Sequence, residues 1–369
     1  MGNRSLLGII GLALLVSGCL HERRDHPFVD ADERIAHRRV ELQKHLGLLP
    51  LASEWDHVIP YRGIREGYLE EDLVFVQTED HWVHVVDSAT GITRWTLDMQ
   101  MPISARPGLN AEVVALLSHD VLWVVDRRTG GVIKKIILDF VPSSPPTPVG
   151  NRIYMGSFDE YLYAFNWQNE LRDWRYKTDG AVTAKPIFLS PFLIFASHDN
   201  TVYVLRETNG TTNSTYATVG PITADLSSAL RTVYGASRDF GVYAMSSALE
   251  WKFLGDSPFL KAPFRIESRG EDQEDTVYAV SEQETLYAID PIFGKERWHV
   301  GGIDRVLFRG KGHDFALQPD KILVQIDNRT GEIRGHFDLG AFDFFFVNKT
   351  TNALIVGTHD GYLFSMSER

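Results

Sequence analysis

The chain has 369 residues, a formal net charge of −12 at pH 7, 44% hydrophobic residues and 11% aromatic residues. This length and composition suit a globular protein with one large all-β domain or two ordinary domains. A nucleic-acid-binding protein carries a basic face, whereas Lys and Arg are scattered through this acidic chain, so no nucleic-acid partner is predicted.

The first predicted element is a signal peptide over residues 1–18. Arg4 precedes an apolar run, residues 6–16, that has the length of a signal-peptide core and is too short to span a bilayer comfortably. Cys19 is the one cysteine of the chain, and the stretch VSGC, residues 16–19, resembles the bacterial lipobox. That resemblance implies a lipid-modified Cys19 at the mature N-terminus and a membrane anchor made of acyl chains, without a transmembrane helix. The alternative is an ordinary secretory signal with an incidental cysteine.

A tether is predicted between Cys19 and residue 50. Residues 21–30 suggest a flexible linker. Residues 32–50 suggest a short helix with Asp32 as its cap, with Gly47 and Pro50 as stop signals and with Ile35, Leu42 and Leu46 on one side. We predict that this segment is a spacer, and a partner-binding helix is the alternative.

The rest of the chain, residues 51–369, is organised as an internal repeat. A hydrophobic strand ending in a polar residue recurs eight times at intervals of 37 to 44 residues, with its last residue at Asp87, Asp126, Asn166, Arg206, Ser246, Asp290, Asp327 and Ser367. A repeat of about 40 residues with several short alternating strands fits one four-stranded blade. The predicted fold class is therefore all-β: an eight-bladed β-propeller of four-stranded antiparallel blades.

Each copy is flanked by turn signals. An aspartate, or glutamine in copy six, precedes the end of the strand by seven residues, or by six in copy two: Asp80, Asp120, Asp159, Asp199, Asp239, Gln283, Asp320 and Asp360. Aspartate is favoured there because it bonds nearby backbone groups and tolerates unusual dihedral angles. After the strand, stretches such as SATG (88–91) and NRTG (328–331) supply the glycine that a tight hairpin needs.

Two stretches place serine, histidine and aspartate side by side, Ser118-His119-Asp120 and Ser197-His198-Asp199. A catalytic triad must converge in space, whereas consecutive residues of a strand point to opposite faces. Other copies carry Ser-Phe-Asp, Ser-Arg-Asp or Thr-His-Asp in the same slot. We therefore interpret these residues as a strand end followed by a turn, and no catalytic residue is predicted.

The two ends of the repeat region predict how the ring closes. The last copy stops at Arg369 without its outer strand, and residues 52–60 contain an isolated Glu54-Trp55 pair like those that begin outer strands elsewhere. If Trp55 completes the last blade, the ring closes without a free sheet edge.

The repeats resemble a known family. VVDSATGITRW (85–95) and AIDPIFGKERW (288–298) are similar to the pyrroloquinoline-quinone (PQQ) type propeller repeat, and the likeness extends over roughly residues 50–369. The resemblance implies that the tryptophans dock onto the adjacent blade, where their N–H groups need partners. The residues concerned are Trp55, Trp95, Trp174, Trp251 and Trp298. Copies two, four and seven lack the tryptophan.

A propeller of this repeat type with a lipobox resembles the BamB family of lipoproteins. That resemblance implies a non-catalytic interaction scaffold, monomeric and without a cofactor, that faces the periplasm from the outer membrane. It also implies a protein partner in the machinery that assembles β-barrels, although no partner-binding residue can be assigned from the sequence.

Other functions stay open at this point. A propeller of another envelope complex, or one that holds a small ligand or glycan in its channel, is the main alternative. A quinoprotein dehydrogenase is a remote one, because those enzymes are much longer and many carry an adjacent cysteine pair that this chain lacks. No metal site is predicted, since His119, His198 and His359 recur at one turn position and could converge only if that turn faced the channel.

Overall fold

A computed structural model of the protein describes residues 27–59, 63–246, 249–267, 274–348 and 353–368, with side chains from residue 33 onward. The chain divides into two compact units, residues 1–42 and residues 43–369. The predicted signal peptide and Cys19 lie outside the described residues. Among the described residues, no helix is both long and apolar enough to cross a membrane.

The helix α1 (Pro27–Leu46) precedes the strands. It begins before Asp32, so the prediction of a linker over residues 21–30 is wrong for residues 27–30, and Asp32 is not the cap. Proline favours a helix start because its missing N–H needs no acceptor in the first turn. The helix ends at the predicted place, where the Gly47 N–H donates to the Gln43 carbonyl at 3.0 Å.

Thirty-two strands are formed by the described residues of the second unit. The strands of the first half are β1 Leu51–Val58, β2 Ile64–Glu70, β3 Leu73–Thr78, β4 Trp82–Asp87, β5 Thr93–Asp98, β6 Gly108–Leu109, β7 Val113–Ser118, β8 Val121–Asp126, β9 Val132–Ile137, β10 Thr147–Val149, β11 Arg152–Gly156, β12 Tyr161–Asn166, β13 Leu171–Lys177, β14 Ile187–Leu189, β15 Phe192–Ser197 and β16 Thr201–Arg206. Those of the second half are β17 Thr212–Ala217, β18 Ser227–Ala229, β19 Thr232–Ala236, β20 Gly241–Met245, β21 Leu249–Leu254, β22 Phe264–Ile266, β23 Thr276–Val280, β24 Leu286–Ile289, β25 Glu296–Val300, β26 Arg305–Arg309, β27 His313–Leu317, β28 Ile322–Asp327, β29 Ile333–Asp338, β30 Phe344–Phe346, β31 Ala353–Gly357 and β32 Tyr362–Glu368.

The strands form eight four-stranded antiparallel sheets, which confirms the predicted fold class. Blade 1 is β2 to β5, and each later blade takes the next four strands up to blade 7, β26 to β29. Within a blade the strands run in order from the central channel outward. The short first strands line the channel, and the fourth strands form the outer wall.

Blade 8 is built from both ends of the repeat region. Its first three strands are β30, β31 and β32, and its fourth is β1. Ala52 pairs with Ser367 and Asp56 with Phe364, with a bulge between Ser53 and Trp55. The following residues continue the closure, because the Ile59 N–H donates to the Gly361 carbonyl at 2.8 Å.

The core consists of the layers between neighbouring blades. In β12 of blade 3, Leu162 and Ala164 pack toward blade 4 in a cluster that includes Phe195. The alternate residues Tyr163 and Phe165 pack toward blade 2. Successive side chains of a strand point to opposite faces, so a strand between two blades is apolar on both.

Five tryptophans lie between blades in one repeated arrangement. Each indole N–H donates to a carbonyl in the turn between the third and fourth strands of the next blade, at 2.8 to 3.2 Å: Trp55 to Ser88, Trp95 to Arg127, Trp174 to Glu207, Trp251 to Pro291 and Trp298 to Asn328. Each ring also lies flat against the glycine of that turn. At Gly331, where φ is +76°, an added Cβ would come within 2.8 Å of the Trp298 ring.

Between blades 2 and 3, a lysine and a glutamate take the positions that the tryptophan and the glycine occupy elsewhere. Lys134 occupies the tryptophan's position in β9, opposite Val124. The next turn has no glycine, and Glu170 takes the positive φ of 61° there. Lys134 Nζ and Glu170 Oε1 lie 2.5 Å apart. An ion pair between turn and strand therefore replaces the indole and its glycine.

Buried tyrosines of the second strands form a further set of contacts between blades. The Tyr154 hydroxyl of blade 3 donates to Glu207 of blade 4. The Tyr278 hydroxyl of blade 6 donates to Asp314 of blade 7, whose carboxylate also accepts from Arg309 Nε at 2.8 Å. Tyr278 and Asp314 are fully buried, and burial and the Asp314 charge raise the pKa of Tyr278 well above its ordinary value.

The tryptophan arrangement predicts a large loss of stability on truncation. Trp298→Ala should lower the free energy of unfolding by about 3–5 kcal/mol, because it removes a buried ring and leaves a cavity between blades 6 and 7. Gly331→Ala should destabilise the same interface from the other side, since its Cβ has no space. Thermal and urea denaturation measure both, with exposed Ile292→Ala as the control. A midpoint unmoved in Trp298→Ala would count against the docking role.

Candidate functional site

The propeller has two rims with different loops. We call the rim with the first-to-second and third-to-fourth strand turns the glycine rim. The opposite rim carries the second-to-third strand turns and the connections from each blade to the next, and we call it the connection rim. Neighbouring strands of a blade are antiparallel, so all loops of one kind lie on the same rim.

The serine, histidine and aspartate residues of the sequence lie on the connection rim. Ser118 ends β7 and is buried, whereas the side chain of His119 is 70% exposed and its φ is 55°. His119 Nδ1 lies 3.3 Å from Asp120 Oδ1. The His198 ring contacts Thr183 Oγ1 at 2.8 Å, and the His359 ring contacts the Ile64 carbonyl at 3.0 Å. Each of the three histidines thus contacts a different residue of the connection rim. The three rings do not converge on one point.

The turn aspartates of blades 3, 4 and 5 share a pattern that we did not predict. Each accepts a hydrogen bond from a tyrosine four residues later: Tyr163 to Asp159, Tyr203 to Asp199 and Tyr243 to Asp239. The spacing Asp-x-x-x-Tyr was present in the sequence and would have indicated the bond. Burial and the bond to Asp159 raise the pKa of Tyr163 to about 12.

Asp239 differs from the other two turn aspartates because a lysine also bonds to its carboxylate. Its carboxylate accepts from the Tyr243 hydroxyl, from Lys252 Nζ at 3.1 Å and from the Val219 N–H at 3.1 Å. Burial alone would raise the pKa of this carboxyl, but bonds from Tyr243, Lys252 and Ser237 outweigh it and hold the pKa below its ordinary value. The ionised carboxylate therefore ties the turn to the preceding blade connection.

Large apolar side chains are exposed on the connection rim beside these turns. Phe158 is 69% exposed, Val219 79% and Leu254 61%. Phe240 and Val141 are also exposed. Exposed apolar side chains that group together mark interaction sites more often than isolated ones do.

The channel is crossed by a network of four charged side chains. Arg106 Nε lies 2.8 Å from Glu70 Oε1, and Arg106 Nη2 lies 2.6 Å from Asp225 Oδ2. Lys185 Nζ lies 3.1 Å from Glu70 Oε2, and the Lys185 N–H donates to Asp225 Oδ1 at 2.7 Å. Each acid therefore contacts both basic residues. The four residues belong to blades 1, 2, 4 and 5, so the network joins blades that are not neighbours.

Beside this network lies a cavity of about 650 Å³. Tyr68, Phe264 and Phe346 are part of its apolar wall. Asp304 accepts from Lys261 Nζ and from Arg305 Nε, both at 2.5 Å, at its polar side. Burial would raise the pKa of Asp304, but these two cations hold it below its ordinary value.

The channel residues do not fit a calcium-bound quinone. Such a group needs carboxylates and amides that converge on one point. Glu70 pairs with two basic side chains, and Asp304 pairs with Lys261 and Arg305. Asp225 pairs with one basic side chain and accepts a backbone N–H. Within the described part of the chain, no three His, Cys, Asp or Glu side chains are grouped so that they could hold a metal ion.

Residues 54–216 match the family described as "Outer membrane protein assembly factor BamB". No curated protein matches the chain.

Many solved structures are similar in fold, and two of them illustrate the likeness. BamB from Moraxella catarrhalis has a TM-score of 0.69 and 14% identity, over 86% of this chain and 97% of that one. The computationally designed protein Ika8 has a TM-score of 0.60 and 16% identity, over 85% of this chain and 98% of that one. The chain is thus a propeller of PQQ-like repeats that resembles BamB.

The bonding of Asp239 predicts how acid destabilises the propeller. The pKa of Asp239 is lower in the folded protein than in the unfolded chain. Its contribution to the free energy of unfolding is therefore fully present above the pKa of an unfolded aspartate, about 3.9, and is lost as the pH falls through the folded pKa. Asp239→Asn should lower the thermal midpoint at pH 7 and flatten its fall below about pH 4. Midpoints across this range measure the effect, with Glu112→Gln on the glycine rim as the control. If the thermal midpoints of Asp239→Asn and the wild type changed in parallel with pH, the stabilising role of the ionised Asp239 would be contradicted.

Proposed function

We propose that the protein is a non-catalytic, lipid-anchored scaffold that assists the assembly of β-barrel proteins into the outer membrane. One observation carries the proposal: the eight-bladed ring resembles BamB over 86% of this chain, and residues 54–216 match the BamB family. In this role the protein is monomeric, faces the periplasm and binds a subunit of the assembly machinery.

A binding role, without catalysis, agrees with the chemistry of the described residues. The channel carboxylates Glu70, Asp225 and Asp304 bond to Arg and Lys side chains, so none of them is poised as a free acid or base. The serine and histidine residues of the rim serve turns. The exposed apolar residues of the connection rim are instead suited to contact another protein.

The proposed anchor is Cys19, at the end of the lipobox-like stretch VSGC (16–19). Two acyl signals hold a protein at a membrane much more firmly than one, because each buried CH₂ group adds about 0.8 kcal/mol. The segment up to Leu51 then acts as a spacer between the membrane and the ring.

A second candidate function rests on the channel cavity. Its volume of about 650 Å³ lies in the range of small-molecule sites, and its wall combines aromatic rings with a few charged groups. A propeller of another envelope complex, with a small ligand or glycan in this cavity, is the function that this observation favours.

The anchor is tested with Cys19→Ser. The wild-type chain should incorporate labelled palmitate and sediment with membranes, whereas Cys19→Ser should take up no label and be recovered in the soluble fraction. Cell fractionation and gel autoradiography measure both. An unlabelled wild-type chain would show that the cysteine is incidental.

The assembly role is tested by affinity capture of the tagged full-length chain from solubilised envelopes of the native bacterium. Barrel-assembly subunits should be enriched over the untagged control, and deletion of the gene should lower the amount of β-barrel proteins in the outer membrane. Mass spectrometry measures both. Capture without any barrel-assembly subunit, together with an unchanged outer membrane, would favour the second candidate.

A further inference from the structure

The channel cavity has an apolar wall and a polar wall. The apolar wall belongs to the first strands of blades 1, 6 and 8, and it carries the aromatic rings of Tyr68, Phe264, Phe345 and Phe346. The polar wall includes Lys261, Asp304 and Arg305, which lie where the chain enters blades 6 and 7. A cavity of about 650 Å³ with this division has the size and composition of a small-molecule site.

Packing holds the aromatic rings of the apolar wall in place. The centroids of the Phe264 and Tyr278 rings lie 5.9 Å apart, and Tyr278 is fully buried with its hydroxyl bonded to Asp314. In blade 1, Gly67 leaves room for the Phe346 ring, since an added Cβ would come within 2.8 Å of that ring. The wall is therefore formed before a ligand arrives, which lowers the entropic cost of binding.

The acidic side chains of the cavity are paired with basic ones. Three acids and three bases line the cavity: Glu70, Glu71, Asp304, Arg106, Lys261 and Arg305. Glu70 lies 2.8 Å from Arg106, and Asp304 lies 2.5 Å from both Lys261 and Arg305. Glu71 pairs with Arg127 at 3.0 Å. The lining therefore has no net charge. A charged ligand would give up its hydration without gaining an unpaired counter-charge, so an uncharged ligand is favoured.

The polar wall favours hydroxyl groups on the ligand. Lys261 Nζ donates to the Asp304 carbonyl at 2.8 Å and to the Asp304 carboxylate at 2.5 Å, which leaves its third N–H without an acceptor in the described chain. Lys261 and Arg305 are about half exposed, so a ligand can reach them. A hydroxyl can accept from Lys261 and donate to Asp304 at the same time without adding a charge. An apolar ligand would cover these groups without bonding to them, which costs free energy.

We infer that the channel cavity binds a neutral saccharide. The C–H faces of the sugar ring pack against Tyr68, Phe264 and Phe346, and the hydroxyls at its edge bond to Lys261 and Asp304. A sugar thus matches both walls of the cavity with one ring. This inference rests on the second candidate function and adds the class of ligand, and it does not depend on the assembly role.

The first experiment compares sugars that differ in charge at one position. Saturation-transfer NMR is recorded on the purified full-length chain with glucose, N-acetylglucosamine, glucosamine and glucuronate, in an amine-oxide detergent because alkyl glycosides would compete. The better of the two neutral sugars should bind about fivefold more tightly than either charged sugar, because the lining offers no unpaired counter-charge.

Two results of this comparison would overturn the inference. If neither neutral sugar bound at tens of millimolar, the cavity would not be a saccharide site. If glucosamine or glucuronate bound more tightly than both neutral sugars, the ligand class would be wrong, while the second candidate function would stand.

The second experiment places the sugar in the cavity with a matched pair of variants. Phe264 and Phe344 are both half-buried and both begin the first strand of a blade, but only Phe264 lines the cavity. Phe264→Ala should weaken binding of the neutral sugar by about tenfold, whereas Phe344→Ala should leave it within about twofold of the wild type. Thermal denaturation checks that both variants fold. Equal losses in the two variants would contradict the placement.

A cavity-filling variant covers the case in which Phe264→Ala does not fold. Ala262 also lines the cavity, and Ala262→Trp would place a large ring in the space assigned to the sugar. Sugar binding should then be lost, as measured by saturation transfer. Unchanged binding in a folded Ala262→Trp protein would contradict the inference.

The third experiment changes the charge of the lining. Lys261→Gln removes one of the three bases and leaves the lining with a net negative charge, while the amide can still bond to a hydroxyl. The affinity for glucosamine relative to glucose should rise by about threefold, and Lys311→Gln on the glycine rim should leave this ratio unchanged. An unchanged ratio in Lys261→Gln would contradict the role of the paired charges.

Affinity capture separates this inference from the assembly role. Phe264→Ala should capture the same proteins from solubilised envelopes as the wild type, because the cavity lies inside the channel. If the captured proteins lacked barrel-assembly subunits while the purified chain still bound a neutral sugar, the assembly role would be refuted and this inference would stand.

Discussion

The pairing of β1 with β32 is the constraint on which the rest of the structure depends. Without β1, the strand β32 would be the unpaired edge of a three-stranded last blade. The strand Leu51–Val58 pairs with β32 and gives this blade its fourth strand. The same strand carries Trp55, which donates to Ser88 of blade 1. This segment of eight residues therefore completes blade 8 and also bonds to blade 1.

Because the ring is closed, each blade is held by two neighbours, and its rims are free to vary. The interfaces use a small set of contacts: an indole on a glycine, a tyrosine on a carboxylate, and the Lys134–Glu170 ion pair in place of one indole. The network of Glu70, Arg106, Lys185 and Asp225 adds a link across the channel between blades 1, 2, 4 and 5. Within this closed frame, Phe240 stands at a φ of 67°, a conformation that is unfavourable for a bulky side chain.

Much of this architecture could be predicted from the sequence, because each blade repeats one local pattern. The spacing of the strand ends predicted eight blades. The isolated Glu54-Trp55 pair predicted that an N-terminal strand completes the last blade. The Lys134–Glu170 pair was missed because copy two lacks the tryptophan and the turn of copy three that faces it lacks the glycine. The start of α1 was placed too late because Asp32 was taken as a cap, although Pro27 suits a first helical turn.

Other features could not have been predicted from one sequence. Two contacts of the channel network join residues 115 and 119 positions apart, and no local spacing marks them. The exposure and positive φ of Phe240 depend on the turn that the fold imposes. The Asp-x-x-x-Tyr bond, by contrast, had a local signal that was present and overlooked.

Amide hydrogen exchange of the purified chain tests ring closure most directly. If β1 is an integral strand of blade 8, the amides of residues 51–58 that bond to β32 exchange as slowly as those of β31, and both segments are released together by global unfolding. Rapid exchange of residues 51–58 while β31 stays protected would show that the ring is open and would contradict this account.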